Sequence, residues 1–165
     1  MTALETSVAS EFIRLARHQL VKEYLPKIQR CLTSLSEEDI WWRAHETDNS
    51  IGNLVLHLCG NVRQWIVSGV GGKKDQRNRP AEFSARGAVS KEVLLQQMDE
   101  TLHEADETLS NFEAARLLER RTIQSYEVTC FEAIFHVVEH FSGHVGQIIY
   151  LTKMRTGKDL RFYNL

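Results

Sequence analysis

Apolar positions recur at helical spacing along most of the chain. From about Thr6 to Leu35 the inward set is Phe12, Leu15, Ala16 and Leu20, which predicts a first long helix. Pro26 lacks a backbone donor and crowds the preceding turn, so this helix should kink or split near Tyr24. Ser36-Glu37-Glu38-Asp39 reads as a cap and acidic first turn of a short helix ending in Trp41-Trp42. A second long helix starts at the cap Asn49 or Ser50 and runs to about Ser68. Its apolar arc is Ile51, Leu54, Val55, Leu58, Val62, Trp65 and Ile66. A third opens at Ser90 and carries Leu94, Met98, Leu102, Ala105, Leu109 and Phe112. The fourth begins at the capping box Thr129-x-x-Glu132 and ends near Thr156, with Lys153 and Arg155 in its last turn and Gly157 at C′.

Between these lie a loop, Gly69 to Gly87, rich in turn formers and charge, and a connector from Ile123 to Val128, in part extended. No stretch alternates with period two for long enough to build a sheet. Four long amphipathic helices and one short one predict an all-α chain, an antiparallel four-helix bundle forming a single domain over residues 1–165.

Composition adds exclusions. The hydrophobic share of 42% and charged share of 25% are those of a globular protein, and a formal net charge of −2 gives no reason to expect nucleic acid or an anionic membrane as partner. No apolar run reaches transmembrane length, and Met1-Thr2-Ala3-Leu4-Glu5-Thr6 lacks the features of a signal peptide. Cys31, Cys59 and Cys130 form no CxxC pair, so a reducing cytoplasm is expected, with Cys59 and Cys130 as buried bystanders.

The candidate chemistry is imidazole. His136, His140 and His144 follow one another at steps of four and lie along one gently spiralling strip of the fourth helix, with Gln147 beside them. On the second helix His57 shares a polar strip with Asn53, Asn61 and Gln64. Both strips border an apolar arc, where polar groups need partners. A divalent metal ion held between helices would supply one, imidazole being its commonest protein ligand. His136-Val137-Val138-Glu139-His140 also fits the H-x-x-E-H pattern of inverted zinc peptidases. Glu139, however, points about 100° away from His140, towards solvent.

Two segments, Asn49-Ser50-Ile51-Gly52-Asn53-Leu54-Val55-Leu56-His57-Leu58 and His136-Val137-Val138-Glu139-His140-Phe141-Ser142-Gly143-His144-Val145-Gly146-Gln147-Ile148, resemble the DinB-like superfamily. That superfamily includes the YfiT-type metal-dependent proteins and bacterial thiol transferases. The loop Arg77-x-Arg79-x-x-Glu82-Phe83 and the ending Arg161-Phe162-Tyr163 look like an uncharacterised subgroup of it. The resemblance implies a four-helix bundle in which one histidine of the second helix and an H-x-x-x-H pair of the fourth hold a divalent metal. Carried onto this chain the ligands are His57, His140 and His144, with His136 adjoining the site; were His136 and His140 to bind together, the ion would lie one turn nearer the helix start. The metal is Ni, Zn, Mn or Fe.

Three imidazoles leave coordination open for water or a substrate sulfur. The resemblance favours a low-molecular-weight thiol attacking a small electrophile. Hydrolysis by metal-activated water and metal binding without turnover are the alternatives. His136, Asn61 and Gln147 are expected to line the pocket, and Arg77 and Arg79 to clamp an anionic small-molecule substrate. Phe135 faces away from the predicted core and Gly143 and Gly146 permit close approach, which with the resemblance suggests a homodimer.

Overall fold

The computed structural model describes residues 3–87 and 89–162. Its helices are α1 (Ala3–His18), α2 (Leu25–Ser34), α3 (Glu37–Trp41), α4 (Ile51–Val62), α5 (Arg79–Ser84), α6 (Lys91–Ser110) and α7 (Cys130–Thr156). Two π-helical stretches, Gln19–Tyr24 and Arg63–Val70, extend α1 and α4, and a hairpin of β1 (Arg120–Ile123) and β2 (Tyr126–Thr129) precedes α7. The fold is all-α, with the long helical stretches around one apolar cluster drawn from every one of them.

The kink expected at Pro26 takes the form of the first π stretch. Wider i→i+5 turns directly before the proline absorb the donor it lacks and the crowding of its ring. Ile13, Ala16 and Leu20 face the core, whereas Leu15 is exposed, which corrects its expected inward position. The hairpin likewise corrects the expectation of no sheet. Its strands are four residues each, too short for alternation to show against neighbouring helices. Gln124 at the turn adopts φ 59.

Caps explain several boundaries. Ser50 accepts from Asn53 N, and Asn53 Oδ1 accepts from Ser50 N, a reciprocal box that starts α4. Thr129 and Glu132 do the same for α7, and Gly157 ends it in the left-handed conformation that a residue without Cβ adopts freely. At the far end of α7 Arg155 donates to Asp39 at 2.8 Å and lies over the Trp42 ring, docking α3.

The loop from Gly69 to Gly87 contains α5, a third correction. Asn78 caps it and Pro80 fills its first turn, where a missing N–H costs nothing. Buried Asn53 then seats the end of α5, donating to the carbonyls of Glu82 (2.8 Å) and Ala85 (3.1 Å). On α7, Phe131, Phe135, Tyr150 and Met154 are exposed, the side away from the core. No helix among the described residues is long and apolar enough to cross a membrane. Tyr163, part of the motif Arg161-Phe162-Tyr163, lies outside the described residues.

Candidate metal centre

α4 is buried on almost every side, so its polar strip is buried with it: Asn53, His57, Asn61 and Gln64 are 0%, 6%, 4% and 9% exposed. Each must find partners or cost stability. His57 faces α7, where its Nε2 lies 2.9 Å from His140 Nε2. One turn further along α4, Asn61 Nδ2 lies 3.4 Å from His136 Nε2. Advancing four residues on α4 thus corresponds to retreating four on α7, so these two helices run antiparallel and match their polar strips turn by turn.

One ring nitrogen from each of His57, His140 and His144 falls within 4.8 Å of the other two. Metal–imidazole bonds of about 2.0–2.1 Å place two nitrogens on one ion at most about 4 Å apart, so the cluster has nearly the spacing of a three-nitrogen ligand set. Two Nε2 atoms 2.9 Å apart share either one hydrogen or one cation, since two bare lone pairs, or two N–H groups, facing each other at that distance would repel.

The outer nitrogens of two rings are fixed. His144 Nδ1 donates to Gln147 Oε1 at 2.8 Å, leaving Nε2 as the free donor atom. His57 Nδ1 lies 3.0 Å from Glu82 Oε2 and 3.0 Å from Arg77 Nη2. Between a carboxylate and a guanidinium only the carboxylate can accept, so Nδ1 carries the hydrogen and Nε2 presents its lone pair to α7. Arg77 in turn donates to Glu82 through Nε (2.7 Å) and Nη2 (2.8 Å) and to Gln64 Oε1 through Nη1 (2.9 Å). Gly60 makes room for this bracing: a methyl group there would overlap Glu82 Oε1 and come within 2.9 Å of Arg77 Nε.

The electrostatics favour the neutral form of the three α7 imidazoles. Burial, then the neighbouring His144, His57, His136 and Arg77, push His140 down to about 4. Burial also lowers His144, against the opposing hydrogen bond to Gln147, and lowers His136. Burial alone would raise the Glu82 carboxyl, but Arg77 and His57 outweigh it and hold the group below the usual glutamate range. Neutral imidazole with a carboxylate behind it is the form that binds metal.

The cluster opens into a cavity of about 690 Å³, walled by His57, His140, His136, Asn61, Trp65, Arg79, Gln124 and Tyr126 among others.

 

His136 packs against Trp65 (ring centroids 4.4 Å apart) and stands in this wall, outside the three-nitrogen cluster. Asn61 stands beside it, and its Oδ1, shut off from solvent, has no hydrogen-bond partner among the described residues. A buried acceptor left in that state costs about 1–3 kcal/mol. Gln147 serves His144 and borders a separate cleft with Trp42 and Tyr150. Of the two arginines expected to grip a substrate, Arg77 spends its fork on Glu82 and Gln64 with a side chain 3% exposed. Arg79 lies over the Phe83 ring at 5.1 Å and reaches the cavity wall, with no carboxylate paired to it among the described residues. Glu139 is exposed, away from the cluster, as its position on the helical wheel required.

Sequence reasoning missed the brace. Glu82 and Arg77 sit in a loop without periodicity, and only the helical turn of α5 brings the carboxylate to His57. It also missed Gln124, whose Nε2 donates to Gln64 Oε1 at 2.5 Å and carries the hairpin tip over the cavity. The signal that was present is the pairing of two polar strips on apolar helices, each needing the other.

The profile of a family described as "Protein of unknown function (DUF1572)" matches residues 7–165. The chain belongs to the DUF1572 family. Among solved structures, a DinB-like protein from Bacillus cereus ATCC 10987 superposes with a TM-score of 0.67 at 16% identity, covering 84% of this chain and 89% of that one. A conserved protein from Enterococcus faecalis superposes with a TM-score of 0.61 at 14% identity, over 96% of this chain and 99% of that one. At these identities the likeness is one of fold, and this DUF1572 chain has the DinB-like fold. No curated protein matches it.

Proposed function

We propose that this DUF1572 protein is a metal-dependent transferase of the thiol S-transferase type, in which His57, His140 and His144 hold one divalent ion (Ni, Zn, Mn or Fe). The observation that carries the reading is the cluster itself, three imidazole nitrogens within 4.8 Å of one another, beside a cavity of small-molecule size. The donor set suits such an ion: neutral nitrogens, one of them backed by a carboxylate. Bound there, the ion supplies the charge that keeps a thiol deprotonated near neutral pH.

The chain's residues do the rest. Glu82 and Gln147 hold two rings in the tautomer that directs a lone pair inward. Trp65, Tyr126 and His136 wall the cavity with aromatic surface for the apolar part of a small electrophile. Arg79, which has no carboxylate partner among the described residues, offers its guanidinium to an anionic group on it. In the reaction a sulfur–carbon bond forms, the leaving group departs with its electron pair, and the thiol proton passes to solvent. The reacting sulfur comes from a low-molecular-weight thiol. Burial raises the thiols of Cys31, Cys59 and Cys130, that of Cys59 to about 11, which leaves them inert. The exposed Phe131, Phe135, Tyr150 and Met154 of α7 support a homodimer through that face.

The test is turnover across a panel of electrophiles with several cellular thiols, before and after chelation. Thiol-dependent activity that disappears with the metal is the expected result. Metal-dependent activity without thiol would replace the transferase with a hydrolase, and binding of metal with no turnover on any pair would replace it with a non-catalytic metal-binding protein.

A further inference from the structure

Resting on the reading of the histidine cavity as the reactive site, we infer that the β1–β2 hairpin is a hinged lid on that cavity, latched by the side chains of Gln124 and Gln64. Gln124, Tyr126 and Val128 of the hairpin line the same cavity as His57, His136 and His140. The two strands pair with each other and with no third strand among the described residues. A lone two-stranded hairpin is marginally stable in water, so what it docks against decides where it stays. Its base is fixed: Cys130 N donates to Glu119 O at 2.9 Å and Phe131 N to Leu117 O at 2.8 Å. The turn end meets the π-helical stretch Arg63–Val70 through side chains. Ile123 fills the space left by Gly69, where a methyl group would overlap its Cδ1, and the Tyr126 ring lies 6.3 Å from that of Trp65.

The latch is the polar contact of this docking. Gln64 is 9% exposed, and its partners settle which way its amide points. Arg77 can only donate, so Oε1 faces it at 2.9 Å; the Asp75 carboxylate can only accept, so Nε2 faces it at 2.7 Å. The second lone pair of that oxygen takes Gln124 Nε2 at 2.5 Å. Ile123 pairs with Tyr126, so Gln124 is the first residue of a two-residue turn, and its φ of 59 lies in the region that glycine or asparagine usually fills there. A long side chain held in that conformation costs backbone energy and persists where its surroundings demand it. Here the demand is the bond to Gln64. The same oxygen holds Arg77, which braces Glu82 behind His57. Closing the lid and seating the His57 ring therefore share one acceptor.

Diethyl pyrocarbonate attacks neutral imidazole, so its rate at each histidine of the metal-free protein, resolved by mass spectrometry, reads how often the cavity is open. His45 and His103, exposed elsewhere, calibrate the reagent within each sample. Gln124→Gly keeps the turn and removes the latch. Gln124→Glu, ionised near neutral pH, turns an acceptor towards Gln64 Oε1. Both should raise the rates at His136 and His140 about fivefold, the factor that one neutral hydrogen bond contributes, with His45 and His103 unchanged. Gln124→Gly should also melt close to wild type, since glycine adopts that φ freely, which separates an open lid from a loosened fold. Wild-type rates at His136 and His140 in either variant overturn the proposal, and so does a rise that His45 and His103 share. Cobalt(II) should then protect His140; if it does not, the metal centre fails, and the lid stands or falls on the metal-free rates.

Discussion

Replacing Glu82 by alanine separates a braced metal ligand from a histidine merely packed in a core. The Glu82 and Arg77 side chains are 9% and 3% exposed, and the carboxylate accepts from the guanidinium at 2.7 and 2.8 Å. Without it Arg77 keeps a desolvated charge with Gln64 Oε1 as its remaining side-chain acceptor. Breaking a buried pair in this way costs about 3–5 kcal/mol. For a chain of this size each kcal/mol lowers the melting midpoint by about 2–4 °C, so Glu82→Ala should melt roughly 6–20 °C below wild type. His57 also loses the acceptor that fixes its tautomer, and loss of such a partner weakens metal binding about 10–100-fold. Calorimetric melting of the metal-free protein and competition titration against a chelating indicator measure the two effects. Arg77→Met/Glu82→Leu, which removes both charges, should recover much of the stability and none of the metal affinity. Gly60→Ala offers an independent route, since its methyl group displaces the carboxylate while leaving both charges present. It should weaken metal binding roughly tenfold, the low end of the range for losing that partner. A Glu82→Ala protein within about 0.5 kcal/mol of wild type, with undiminished metal affinity, would refute the reasoning.

His57→Ala, His140→Ala and His144→Ala should each abolish stoichiometric metal in tag-free protein by elemental analysis, and His136→Ala should reduce it less. Equal loss from His136→Ala would move the ligand set one turn along α7. The pH dependence follows from His140, whose pKa falls from 6.5 to about 4 on folding. Between these values the unfolded chain binds a proton that the folded one does not, so the stability of the metal-free protein should fall as pH drops from about 6.5 to about 4. His140→Gln should flatten that slope in chemical denaturation at a series of pH values, and an unchanged slope would assign it elsewhere.

The elements that repeat an apolar pattern over many residues were legible before any coordinates. α4, α6 and α7 declare themselves by spacing and caps because helix period and capping are local physics, acting within four residues. The candidate ligands were legible for a related reason: His57, His140 and His144 are polar groups at the border of apolar arcs. That placement demands a partner from another helix, and the resemblance then chose the three from the four histidines. What the sequence could not supply is anything that depends on which side chains meet across the fold. Glu82 reaches His57 only because α5 forms inside a loop and Asn53 holds its last carbonyls. Arg77 turns inward because that carboxylate is there, and the unpaired oxygen of Asn61 exists only once every neighbour has found its partner. Helix formation is decided along the chain, whereas pairing, burial and the protonation they impose are decided between segments far apart in it, and these give the histidines their chemistry.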